Sequence, residues 1–170
     1  MAFIIGGKEV VIKEVPILAD DIDDAIRISY GLPDRAEYVV YLPADWKIDN
    51  ESLKDERYYW PFRVLKDTAR LPIWTESWLG YGHTIDKEEQ ELLTEGKPYS
   101  SVLLTCPAPD FGTMQYADLS SGKSVSFYMI HPLTPEELAY KKESCASDLI
   151  DKIYPENCNN MEVFLDRMKP

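Results

Sequence analysis

Residues 60–86 read WPFRVLKDTARLPIWTESWLGYGHTID, and the folding of this stretch decides the architecture of the chain. It holds three of the four tryptophans and one of the two histidines, far more large apolar surface than a solvent loop carries. Pro61 sits where a first helical position tolerates it, because its missing N–H is an orphan there anyway. From Pro61 to Arg70, the residues Phe62, Leu65 and Ala69 recur at i, i+3 and i+7. That spacing predicts one stripe of an amphipathic helix, which must pack on something flat and apolar. Leu71-Pro72 is expected to end it, and a glycine-hinged turn, Gly80-Tyr81-Gly82-His83, follows.

The flat partner is a sheet. Upstream, Glu9-Val10-Val11-Ile12 is short and β-branched, Ala25 to Tyr30 alternates apolar with polar, and Ala36 to Leu42 is a mostly apolar run. Gly31 to Asp34 and Leu42 to Trp46 read as proline-containing corners, and Ser52 to Asp55 as the start of a single helical turn. Downstream, Ser101 to Thr105 is a strand signal, and Met114 to Leu119 with Val125 to Ile130 reads as a hairpin around Gly122. The chain then turns helical. Thr134-Pro135-Glu136-Glu137 offers an N-cap, proline at the first helical position and a glutamate three residues after the cap. A further helix over Ala146 to Tyr154 is stopped by Pro155.

The 170 residues, 45% of them hydrophobic, suffice for one core and not comfortably for two, so a single domain over 1–170 is expected. A net charge of -12 repels phosphate backbones and anionic headgroups. Nucleic acid and membrane are therefore poor partners, and a basic protein is a better one. No charged leader with a long apolar run opens the chain, and the three cysteines, Cys106, Cys145 and Cys158, are irregularly spaced. Reduced thiols and a cytoplasmic location are expected.

Candidate chemistry is sparse. Asp20 to Asp24 lacks the glycine hinge and distal glutamate of a calcium loop and reads as a solvated acidic face, as does Lys87 to Glu95. Gly122-Lys123-Ser124 resembles the end of a phosphate loop, but Ala117 stands where that loop needs glycine. His83 and His131 have no second ligand at metal spacing, so no metal and no cofactor are expected, and a structural role is favoured for both. Cys106 lies at a strand end and is read as a buried thiol; a hydrolase using Cys106 or a carboxylate with His83 is the enzymatic alternative. The aromatic set remains. Trp60 is assigned to the core, while Trp74, Trp78 and Tyr81 suit a core and an interface equally.

Tyr30-Gly31-Leu32, Leu42-Pro43-Ala44-Asp45-Trp46, Trp60-Pro61, Ala69-Arg70, Gly80 to Ile85 and Ile130 to Leu138 follow one another in an order that resembles the suppressor of fused (SUFU) domain. The resemblance implies an α+β fold, a single domain with a mixed, largely antiparallel sheet and helices packed against it. Animal members carry a further C-terminal domain and capture a transcription-factor peptide as an added strand. There, the position after Ala-Arg is tyrosine and the one before the histidine is acidic; Leu71 and Gly82 stand here, so that ligand is not carried over.

Short bacterial members of the family are proposed as immunity proteins beside polymorphic toxins. The resemblance thus implies a non-enzymatic binder of a protein or peptide; the net charge points to a basic toxin domain, and the aromatic, glycine-hinged turn supplies Trp78, Tyr81, Gly82 and His83 as the expected contact residues. A regulatory adaptor that binds an extended peptide by strand addition is the alternative.

Overall fold

A computed structural model describes residues 2–5, 8–11, 13–16, 35–86, 93–94, 96–107, 115–118, 120, 122, 124–156 and 159–169. The expected strand over Ala25 to Tyr30, the turn at Gly31 to Asp34, the Asp20 to Asp24 patch and most of the Lys87 to Glu95 patch lie outside these residues.

Strands β1 (Ala2–Ile5) and β2 (Lys8–Val11) form an antiparallel pair of their own. The main sheet is built on β8 (Ser124–Leu133), ten residues long and buried over most of its length. One edge of β8 pairs with β4 (Arg35–Val39), which in turn pairs with β3 (Lys13–Pro16). The other edge carries two strands in succession, β7 (Gln115–Asp118) along Ser124 to Phe127 and β6 (Ser101–Thr105) along Met129 to Leu133. Strand β5 (Thr84–Asp86) completes the path β3-β4-β8-β6-β5.

The fold is α+β with helices packed on a mixed sheet, as the sequence implies. The sheet is less antiparallel than expected, because β4 and β8 run parallel at its centre, with Tyr38 opposite Tyr128. Turn chemistry around Gly122 fixes the β7–β8 hairpin, and the glycine adopts φ +75°, which an L side chain rarely adopts. Gly122 and Ser124 thus belong to a hairpin between two strands and not to a strand-to-helix phosphate loop.

Helix α1 (Glu56–Thr75) is twenty residues long, so both expected boundaries need correction. It begins five residues before Pro61, where the Asp55 side chain accepts from the Arg57 N–H, and it passes through Pro61 and Pro72 without stopping. Each proline removes a backbone hydrogen bond and so weakens the helix locally. Both rings, however, are buried members of the apolar stripe Trp60, Pro61, Val64, Leu65, Thr68, Ala69 and Pro72. Packing against the sheet offsets the lost bonds. The helix stops instead at Glu76, in the left-handed region at φ 50°, where the Ser77 N–H reaches back to the Pro72 carbonyl.

Three helices follow β8: α2 (Pro135–Glu143), α3 (Ala146–Ile153) and α4 (Asn160–Met168). The reciprocal cap at Thr134 and Glu137 is present, with Glu137 N–H donating to Thr134 Oγ1 at 3.2 Å and Thr134 N–H to Glu137 Oε2 at 2.8 Å. Helix α4 was not anticipated, although Asn159 caps it through the Glu162 N–H.

The period of two along β6 and β8 assigns the layers. Val102 lines a cavity beneath α1, whereas Leu103 stands opposite His131, whose ring meets Tyr154 after α3 and Phe164 of α4. The sheet therefore lies between α1 on one face and α3 with α4 on the other. Trp46 and Trp60 are each 1% exposed, so the assignment of Trp60 to the core holds.

Candidate functional site

Where α1 stops, its last turn leads through residues 76–83 into β5. Beyond Glu76 the chain reverses, and the four residues singled out in the sequence fall in a single turn. Trp78 packs on His83 with ring centroids 4.7 Å apart and the planes tilted by 50°. Gly80 is required beneath it, because a Cβ there would stand 2.5 Å from Trp78 Cζ3. The Gly80 N–H donates to His83 Nδ1 at 3.3 Å, and the His83 N–H donates back to the Gly80 carbonyl at 3.1 Å. His83 Nδ1 is therefore an acceptor in this turn.

The turn is also tied to its surroundings. Gly82 N–H donates to the Leu104 carbonyl at 2.8 Å and Leu104 N–H to the His83 carbonyl at 2.9 Å, which extends the ladder ahead of β5. Gly82 has φ +80° and faces Ala146 of α3, so an animal-type acidic side chain there would meet both strain and a neighbouring helix. The Tyr81 hydroxyl lies 3.3 Å from Ser147 Oγ on the same helix. All four residues are half-buried, and the contacts named above hold them to their own turn, to β6 and to α3.

The surface immediately before this turn is different. Ile73 is 46% exposed and Trp74 is 65% exposed, on the last turn of a helix whose opposite side is locked into the core. Beneath them Val64, Leu71 and Trp74 of α1 face Ile85 and Val102 of the sheet across a cavity of about 140 Å³. Exposed aromatic area beside an apolar recess, carried on a rigid element, is the anatomy of a contact hot spot. Sequence reasoning left Trp74 undecided because it ended the helix before it. Continuing the stripe through Pro72 would have placed residues 73 and 74 on the outer side.

His131 stands apart from this surface and is fully buried, with Nε2 2.6 Å from the Tyr154 hydroxyl and Nδ1 3.2 Å from the Pro132 carbonyl. Burial, reinforced by the nearby Arg167 charge, lowers its pKa to about 3. Arg167 in turn grips Glu137 through two bonds of 2.7 and 2.8 Å and donates to the Pro132 carbonyl. The Pro132 carbonyl and its absent N–H point away from β6, so this proline costs the ladder nothing. Cys106 is 3% exposed, the setting of an inert thiol. Among the described residues no cluster of His, Cys, Asp and Glu is arranged to hold a metal, and no helix is long and apolar enough to cross a membrane.

Comparison with known proteins bears on the same architecture. A search of curated proteins finds no match. Among solved structures, the chain is similar to one described as the Sufu-Fu complex, with a TM-score of 0.50 and 14% identity over 79% of this chain and 60% of that one. It is also similar to Drosophila Suppressor of Fused, with a TM-score of 0.50 and 12% identity over 94% of this chain and 41% of that one. The chain thus spans less than two thirds of either structure, and at these identities the likeness is one of fold. The family model described as Suppressor of fused protein matches residues 23–164, which takes in β4 to β8, all of α1 to α3 and the Trp78 to His83 turn. With that span matched, the chain belongs to the suppressor of fused family.

Proposed function

We propose that this chain is a non-enzymatic binding domain whose contact surface is the end of α1 with the adjoining turn, and that it serves as an immunity protein, occluding a cognate toxin. The observation that carries the reading is Trp74, 65% exposed on a helix pinned to the core, over a recess the size of one large apolar side chain. A rigid aromatic anchor loses little entropy on binding, which is what tight capture requires. The net charge of -12 supports long-range attraction of a basic partner. Membership of a family with a Sufu-Fu complex among its structures supports a protein as the ligand class.

The test is retention of a polypeptide from lysate of the native organism by the tagged chain, followed by co-expression of the retained polypeptide. The reading requires that the wild-type chain relieve toxicity and that Trp74→Ala lose both retention and protection. If no polypeptide is retained, or if Trp74→Ala protects as well as wild type, the reading fails.

Strand addition is the second reading, favoured by the position of β5 at the end of the described sheet path. With only three residues, Thr84 to Asp86, β5 offers a short ladder to an incoming strand. A hydrolase built on Cys106 and His83 gains no support from a buried thiol and an imidazole nitrogen that accepts from Gly80.

A further inference from the structure

Helix α1 and the whole chain carry charge of opposite sign. Helix α1 has four basic residues and two acidic ones in a protein of net charge -12. Its outward stripe, spaced to fall on one side at 3.6 residues per turn, is Tyr59, Lys66, Arg70 and Ile73, with Trp74 on its flank. Arg63, on the same side, is neutralised by Glu56. Lys66 rests on Tyr59, with Nζ 3.1 Å from the hydroxyl and 5.1 Å from the ring centroid. Arg70 is exposed and makes no hydrogen bond or ion pair among the described residues, one helical turn from Trp74.

We propose that this stripe docks an acidic segment of a partner protein, one large apolar side chain of that segment entering the recess under Trp74 and its carboxylates meeting Arg70 and Lys66. The inference rests on the protein-binding reading and adds to it the polarity of the contact. Two ranges of electrostatics make the opposite signs compatible. The net charge acts on approach, and is screened over about 8 Å at physiological salt. The docked contact is decided by the nearest charges: Asp67 lines the recess together with Arg63, so the carboxylates are placed on the outer stripe, where Lys66 and Arg70 are cationic. Carboxylate pairing with Arg70 also allows a bidentate geometry that a basic partner cannot use.

The probe is a displayed library of short random peptides, selected on the wild-type chain and counter-selected on Trp74→Ala. The expected winners are net acidic and carry an aromatic or long aliphatic residue. Their affinity should fall about tenfold or more on Lys66→Glu/Arg70→Glu, and should weaken with added salt on wild type but not on that variant. These positions are exposed, so the variants keep the wild-type thermal midpoint, which is measured alongside. Net basic winners, or no winners that depend on Trp74, overturn the proposal. Basic winners that are lost on Trp74→Ala overturn only the polarity and leave the protein-binding reading standing.

Discussion

His131 Nε2 stands 2.6 Å from the hydroxyl of Tyr154, inside a fully buried pocket between β8 and the C-terminal helices. With Nδ1 facing the Pro132 carbonyl, the neutral imidazole carries its proton on Nδ1 and accepts from Tyr154 on Nε2. Protonation would put a second positive charge beside Arg167 with no water to solvate it. The depressed pKa of His131, about 3, expresses that penalty.

Stability is therefore expected to depend on pH through His131. Between its unfolded value of 6.5 and its folded value of about 3, the unfolded chain takes up a proton that the folded chain does not. The contribution is complete above 6.5 and is lost as pH falls, at about 1.4 kcal/mol per pH unit. Urea denaturation at neutral pH and at pH 5 should show wild type losing more stability than His131→Gln. Equal losses would contradict the assignment. Tyr154→Phe should cost about 1–3 kcal/mol at neutral pH by removing the donor to Nε2.

Arg167 is expected to be the residue that fastens α4. It joins Glu137 at the start of α2, the Pro132 carbonyl of β8 and the face of Tyr99, 5.2 Å from the ring centroid. Arg167→Ala strands Glu137, 19% exposed, and should cost about 3–5 kcal/mol in a denaturant titration. Arg167→Lys should recover little, because an ammonium cannot reproduce the fork across Glu137 and Pro132.

The two glycines of the turn are expected to fail for different reasons. Gly80→Ala drives Trp78 off His83, seen as a change in tryptophan fluorescence with a modest loss of stability. Gly82→Ala leaves the ring stack intact but forces an L side chain to φ +80°, at about 1–2 kcal/mol. A fluorescence change of the same kind in both variants would argue against this division.

Trp74→Ala is expected to separate binding from folding. The side chain is largely in solvent, so the unfolding free energy should stay within the range of ordinary surface substitutions, about 0.5 kcal/mol. Partner retention should be lost at the same time. A large drop in stability would instead mark Trp74 as a packing residue.

Local chemistry was legible in the sequence where local bonding decides the outcome. Thr134-Pro135-Glu136-Glu137 forms the cap its spacing implies, and Ser101 to Thr105 is a buried strand. Local rules failed where packing outweighs them. Pro61 and Pro72 read as boundaries of α1, yet burial in its stripe holds both inside the helix. The parallel pairing of β4 with β8 was not legible, because register between segments so distant in sequence leaves no periodic trace in either. The same limit applies to the site. Trp78, Tyr81, Gly82 and His83 were found as a cluster, but the exposure of Ile73 and Trp74 depends on where α1 ends, and that is a tertiary fact.

The central position of β8 has a kinetic consequence. During synthesis β4, with Tyr38 and Val39, leaves the ribosome long before Ser124 to Leu133 exist to cover it. Until then β4 has no neighbour on its inner edge, β6 and β7 have no common partner, and the stripe of α1 has only part of a sheet to rest on. The domain is thus expected to complete its core in one late step, and to expose aggregation-prone strands before it.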